Sequence, residues 1–353
     1  MKILVTGGAG FIGSHFIRHV LHASPGIEVV NLDKLTYAGN LANLADLASD
    51  SRYHFVKGDV CDTATVEQAM AGCSAVIHFA AESHVDRSIY DPIPAVRTNI
   101  TGTLTLLMAA RKACVGRFIH ISTDEVYGDI PAGQSASEDS PLAPNSPYSA
   151  SKAGADLLVR SFIRTYKVPA IIARPCNNYG PNQFPEKFLP LMIASALEER
   201  ALPIYGDGKQ ERTWLHVEDT CAALGLILEH GRIGETYNIG SDTTHENIAL
   251  VYEVLKLTGR PESLIEHIED RPGHDRRYAL NSAKLRDQLH WSPAIGLSEG
   301  LAETVEWYGT NAIWIDQIRR GEYRDYYDKY YSNRSASLES IRRPISSNRE
   351  AKF

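Results

Sequence analysis

The chain has 353 residues, 43% of them apolar, with a formal net charge of −7. That length supplies a core for one large domain or two lobes, and the acidic balance, without a long basic block, argues against a nucleic-acid partner. No apolar stretch is long enough to span a bilayer, Met1 runs straight into the strand-like "KILVTGG", and the five scattered cysteines lack metal-ligand or redox spacing, so a reduced, cytoplasmic chain with no membrane segment and no metal is expected.

The first element, "KILVTG" (2–7), reads as a buried strand, and "VTGGAGFIGSHFIRHVL" carries it through Gly7, Gly10 and Gly13 into a helix. Small residues at a strand-to-helix turn let backbone approach a pyrophosphate, and the helix N-terminus offers free N–H groups. The second strand, "EVVNLD", ends at Asp33, near the offset at which a carboxylate accepts bonds from ribose hydroxyls. Such an acid repels a 2′-phosphate, which favours NAD over NADP, although Lys34 beside it is a cation able to partner a phosphate. A third strand, "YHFVKGD", places Asp59 where it can meet the adenine amino group.

"AVIHFAA", "RFIHIST" and "PAIIARP" continue the series. Continuous apolar strands separated by helical periodicity indicate a parallel sheet covered on both faces, hence an α/β, Rossmann-type doubly wound fold. The fifth strand runs into "STDEVYGD", where Asp124 and Glu125 stand side by side and each raises the cost of ionising the other. Adjacent strand residues face opposite ways, so both acids serve one site only if the strand breaks there, as Gly128 suggests. The bare alternative is a turn cap. "PYSASKAGAD" then sets Tyr148 and Lys152 on one helix face. A cation beside a phenol lowers its pKa, which suits Tyr148 to take a proton from a hydroxyl during hydride transfer. Ser122 or Thr123 can hydrogen-bond the same hydroxyl.

After Asn178 the texture changes. Residues 1–176 are expected to form the NAD-binding domain, with a segment near 212–243 returning to it. Residues 177–330 are expected to form a smaller, loop-rich substrate lobe, and 331–353 a flexible tail.

The glycine turn with Tyr148 and Lys152 resembles the extended short-chain dehydrogenase/reductase superfamily. The strings "DKLTYAGNL", "HFAAESHVDRSI", "STDEVYG", "NNYGP", "FPEKFLP" and "DRPGHDRRYA" are similar to those of the dTDP-glucose 4,6-dehydratase family, through most of residues 1–310. The resemblance implies a hydro-lyase that converts dTDP-glucose to the 4-keto-6-deoxy sugar. In it Asp124 is the acid at the C6 oxygen and Glu125 the base at C5, with Thr123, Tyr148 and Lys152 beside them. It extends the cofactor set to Phe11, Ile12, Thr36, Val60, Ala80, Ala81, Thr98 and Asn178. It assigns substrate contacts to Ser83, Thr123, Asn177, Glu186, Lys187, Arg212, Asn247, Arg271 and His274, with Tyr205 stacked on the base. It also implies a homodimer through helices at about 95–113 and 148–167. Arg276 and Arg277 remain open to structural ion pairing. Pro175, Cys176, Thr213, His216 and Ser241 depart from the family pattern and bear on which nucleotide or sugar is accepted. The alternatives are an epimerase or decarboxylase acting on another nucleotide sugar, and a non-catalytic nucleotide or redox sensor.

Overall fold

The computed structural model describes residues 1–319 and 338–339. The apolar runs become strands where the sequence marks them: β1 (Lys2–Thr6), β2 (Glu28–Asp33), β3 (Tyr53–Lys57), β4 (Ala75–His78), β5 (Arg117–Ile121) and β6 (Ala170–Pro175). Six more follow: β7 (Asn177–Tyr179), β8 (Leu202–Tyr205), β9 (Glu211–His216), β10 (Thr236–Ile239), β11 (Thr244–Glu246) and β12 (Ile265–Ile268). A seven-stranded sheet has the order β10-β6-β5-β4-β1-β2-β3, parallel at every pairing. This is the doubly wound Rossmann-type arrangement, and its strand order reverses between β1 and β4. A crevice therefore opens at the C-terminal ends of those two strands.

Both faces of the sheet are covered, which explains why its strands read as unbroken apolar runs. Ile3 and Val5 of β1 pack with Phe16 and Ile17 on one side. Leu4 packs with Val30, Leu32 and Val76 on the other.

A three-stranded sheet (β11-β9-β7) and the pair β12-β8 lie outside the main sheet. They share a third apolar cluster that includes Leu189, Met192, Ile204, Val251 and Leu301. This region was expected to be rich in loops, but the structure builds it around the helices Phe188–Leu197, Asn247–Thr258 and Leu297–Thr310. The first of these, "FLPLMIASAL", is buried along almost its whole length, so it shows no amphipathic stripe. Its Pro190 sits in the first turn, where the missing N–H breaks no helical bond.

The helix expected at about 95–113 is assembled from Ile93–Ala95, a π-helical stretch Val96–Gly102 and Thr103–Lys112. Within the π turn, Asn99 accepts from the Glu82 amide at 2.9 Å. Its Nδ2 donates to the Glu82 carbonyl and to Ser151 Oγ, at 3.0 and 2.8 Å, tying the loop after β4 to the helix that carries Tyr148. The flexible tail expected at 331–353 falls, apart from 338–339, outside the described residues. Among the described residues no helix is long and apolar enough to cross a membrane.

Candidate active site

The glycine turn follows β1. Gly7 has φ +71°, and a Cβ there would lie 2.6 Å from the Ala80 nitrogen, so any side chain would be both strained and clashing. A Cβ at Gly13 would strike the Gly7 carbonyl. The helix Phe11–Ala23 starts at Gly10 without a side-chain cap, leaving its first N–H groups for a ligand. Asp33 closes the turn from β2. Its two oxygens accept from the amides of Ala9, at 2.9 Å, and Leu35, at 2.8 Å, and each keeps a lone pair for a hydroxyl donor. Burial raises the Asp33 pKa while those two amides pull it down.

Lys34 and Asp59 pair with each other at 2.9 Å, and both line the cleft. Phe11, Ile12, Thr36, Val60, Ala80, Ala81 and Thr98 line the same cleft, which continues past Tyr148 and Lys152 to Asn178. Asn178 Oδ1 is buried there without a hydrogen-bond partner. A backbone cradle that excludes side chains, a carboxylate at the second strand and an unpaired amide oxygen at the far end fit a dinucleotide.

Tyr148 and Lys152 enter on the helix Pro147–Tyr166, which Ser146 caps in a reciprocal box with Ser149 and Pro147 begins. Lys152 Nζ donates to the Ile121 carbonyl at 2.6 Å. Burial pushes its pKa down to about 8, with Asp156 pulling it back up. The expected lowering of the Tyr148 pKa is not found. Burial, followed by the charge of Glu125, raises it well above its ordinary value, and only a hydrogen bond with Thr123 works the other way. Both side chains are buried, and the charges that act on the phenol are those of the acids Glu125, Asp124 and Asp156.

β5 ends at Ile121, and a 3₁₀ turn Asp124–Tyr127 follows at once. Thr123 makes the cap, accepting from the Glu125 amide at 3.3 Å. Gly128, at φ +72°, turns the chain away. The break places both acids on the same cleft with Tyr148 and Lys152. Their surroundings differ. Burial first, then Glu125, raises Asp124 to about 7. Burial also raises Glu125, but Arg271, Arg212 and Lys187 hold it down. Asp124 Oδ2 and Glu125 Oε2 are buried without hydrogen-bond partners.

A second cavity adjoins the first, and Ser83, Glu125, Asn177, Lys187 and Trp214 line both. Around it stand Glu186, Tyr205, Arg212, Asn247, Arg271 and His274. Several of these are already engaged. Glu186 is buried against Arg87 at 2.9 Å, and Lys187 Nζ donates to the Ser83 carbonyl. Arg212 donates to the carbonyls of Glu211, Arg276 and Asp275 and lies 4.1 Å over the Tyr278 ring. His274 bonds Asp270 at 2.7 Å, and burial with Arg271 nearby drives its pKa down to about 4. Asn247 Oδ1 and Arg271 Nε are buried and lack partners. Arg276 and Arg277 form ion pairs with Asp207 and Glu211. Of the departing residues, Cys176 lines the first cavity, Thr213 and Ser241 bond backbone carbonyls, and His216 caps the helix Val217–His230.

Sequence reasoning passed over Arg87, which also lies 3.8 Å over the Tyr37 ring, and Ser88, whose Oγ accepts from the Tyr148 amide at 3.0 Å. Both belong to "HVDRSI", where nothing in the local pattern separates a site residue from a solvated charge.

The chain matches the family described as GDP-mannose 4,6 dehydratase over residues 4–304. It is 49% identical to a dTDP-glucose 4,6-dehydratase of Streptomyces niveus, over 90% of this chain and 96% of that protein. It is 47% identical to dTDP-glucose 4,6-dehydratase 1 of Escherichia coli (strain K12), over 95% of this chain and 100% of that protein. Among solved structures it is similar to the dTDP-glucose 4,6-dehydratase DesIV of Streptomyces venezuelae, determined with NAD bound. That similarity has a TM-score of 0.88 at 48% identity and covers 90% of this chain and all of that one. A UDP-glucuronic acid 4-epimerase of Bacillus cereus gives a TM-score of 0.83 at 30% identity, over 88% and 99% of the two chains.

Proposed function

The chain belongs to the GDP-mannose 4,6 dehydratase family, and from that premise we propose that it converts dTDP-glucose to dTDP-4-keto-6-deoxyglucose and water with NAD as cofactor. It is a hydro-lyase. The observation that carries the reading is the adjacent pair Asp124 and Glu125, brought to one cleft with Tyr148 and Lys152; burial raises both carboxyls, and at Glu125 the charges of Arg271, Arg212 and Lys187 oppose the rise.

Bound NAD supplies the acceptor for two electrons at C4, their return at C6, and a positive charge that favours the Tyr148 phenolate. The residues of this chain manage the protons. Tyr148, on the same cleft as Thr123 and Lys152, takes the C4 hydroxyl proton, and Lys152 supplies positive charge to that cleft. Oxidation at C4 acidifies the C5 hydrogen, which Glu125 removes as a carboxylate kept ionisable by Arg271, Arg212 and Lys187. Asp124, with a pKa raised to about 7, still carries a proton near neutrality and donates it to the departing C6 oxygen; once C6 is reduced, Glu125 returns its proton to C5. Gly7, Gly10, Gly13, Asp33 and Asn178 would hold the dinucleotide. Ser83, Asn177, Lys187, Tyr205, Arg212, Asn247, Arg271 and His274 surround the nucleoside diphosphate.

A homodimer is part of the same reading. Ile93, Val96, Leu104 and Met108, together with Leu157 of the helix Pro147–Tyr166, expose apolar side chains, and a second copy would cover them. Cytoplasmic residence agrees with five free cysteines.

Incubation with dTDP-glucose tests the function. A 4-keto-6-deoxy product, seen by its absorbance in alkali, is expected. A C4 epimer would instead place the chain with the epimerases, and no turnover of any nucleoside diphosphate sugar would leave it a sensor.

A further inference from the structure

Asp86 is a carboxylate only 3% exposed on the wall of a cavity read as an anion site. An acid there opposes the ligand's charge, so its presence needs a reason. It lies in the first turn of the helix Val85–Tyr90, on the chain that leaves β4 of the main sheet. Its Oδ2 accepts from Tyr205 Oη at 2.6 Å, and its Oδ1 lies 3.5 Å from an Arg271 nitrogen. Tyr205 ends β8 and Arg271 follows β12. These strands pair in parallel, with Tyr205 opposite Ile268. One carboxylate from the cofactor side thus reaches two residues of the other lobe, and the neighbouring Arg87 reaches a third, Glu186.

We propose that Asp86 is a positioning residue that fixes Tyr205 and Arg271 as one rigid recognition surface for the nucleoside diphosphate. The inference rests on reading the second cavity as the nucleotide site, and it goes beyond that reading by assigning a role to a residue that need not touch the ligand. With its hydroxyl tied to Asp86, the Tyr205 ring is held at its far end as well as at its Cα. His274 packs edge-on against it at 6.0 Å and 86°. The plane on which a base stacks is then set before the ligand arrives, so binding does not have to order it. Arg271 gains a counter-ion in a buried place, where an unpaired guanidinium would be costly. Its Nε has no partner and remains available as a phosphate donor.

Tyr205→Phe removes only the tied oxygen and keeps the stacking ring. Asp86→Ala removes the tether itself. Each should raise KM for dTDP-glucose and the calorimetric Kd for dTDP roughly 3–10-fold; Tyr205→Phe should leave bound NAD and Tm near wild type, whereas Asp86→Ala, which also strands Arg271, should lower Tm as well. The double variant should be no worse than the worse single one, because both remove the same bond. Tyr205→Ala separates the two readings. If it leaves dTDP binding unchanged, the cavity is not the nucleotide site. If it weakens binding while Tyr205→Phe does not, the site stands and the positioning role falls. A fall in kcat at unchanged KM in Tyr205→Phe would also overturn the role. Should Asp86→Ala fail to fold, Tyr205→Phe alone still decides.

Discussion

The cofactor cleft and the nucleotide cavity share a wall but are built in different ways. The cleft is mostly backbone. It depends on a turn where Gly7 cannot be replaced, a helix end without a side-chain cap, and one carboxylate, Asp33, clamped by two amides. The cavity is a cage of charged side chains from distant segments, held by Arg87 with Glu186, Arg271 with Asp86, and His274 with Asp270. A backbone cradle is set by local chain geometry. A side-chain cage exists only once the whole chain has folded, and each charge in it depends on a partner. The acids Asp124 and Glu125 lie where the two regions meet.

The largest effect should come at that junction. Glu125→Gln removes the base but keeps the shape, so turnover should fall by roughly 10³. Solvent exchange of the C5 hydrogen, followed by NMR, should fall with it, while dTDP affinity stays within about twofold. Unchanged exchange would remove Glu125 from the chemistry.

Asp124→Asn should slow turnover by roughly 10² and carries a second, thermodynamic signature. The Asp124 pKa is about 7 in the folded chain against an ordinary 3.8, so the folded state binds a proton that the unfolded state has released. Between those values stability falls as pH rises, and above about 7 the deficit is complete, on the order of 4 kcal/mol. The Asn variant should therefore melt higher than wild type at pH 8 and no higher at pH 4. Equal differences at both would contradict the assigned burial.

On the cofactor side, Gly7→Ala should cost about 1–3 kcal/mol of stability and yield protein without bound NAD. Refolded variant that retains NAD would show that the cradle tolerates a side chain. On the cavity side, Arg87→Ala strands the buried Glu186 and should cost about 3 kcal/mol, whereas removing both charges together should cost much less. Thermal melts of the single and paired variants separate a caged charge from a merely exposed one. The smallest effect belongs to Arg276→Ala. Its pairing with Asp207 is half-exposed on both sides, and the change in melting free energy should stay below about 1 kcal/mol.

The same contrast explains what could be read before folding. Gly7, Gly10, Gly13 and Asp33 fall within one strand-turn-helix-strand unit, and Tyr148 with Lys152 within one helical turn, so spacing alone conveys their geometry. Burial is not conveyed by spacing, which is why the Tyr148 pKa moves opposite to expectation. Lys34 and Asp59 looked independent, yet β2 and β3 run in register, with Asp33 opposite Lys57, and the residues just beyond meet. The apolar helix Phe188–Leu197 hid among prolines and aromatics because it has no polar face. Glu186 matched a nucleotide-wrapping loop by resemblance, but its carboxylate faces Arg87, whose partner is almost a hundred positions away.

The central claim is that the electrons taken from C4 return two carbons away, with Asp124 and Glu125 carrying out the elimination in between. Turnover of dTDP-glucose deuterated at C4, with the product read by NMR, tests it most directly. The account predicts deuterium in the new C6 methyl group. Deuterium retained at C4 or lost to solvent would contradict it.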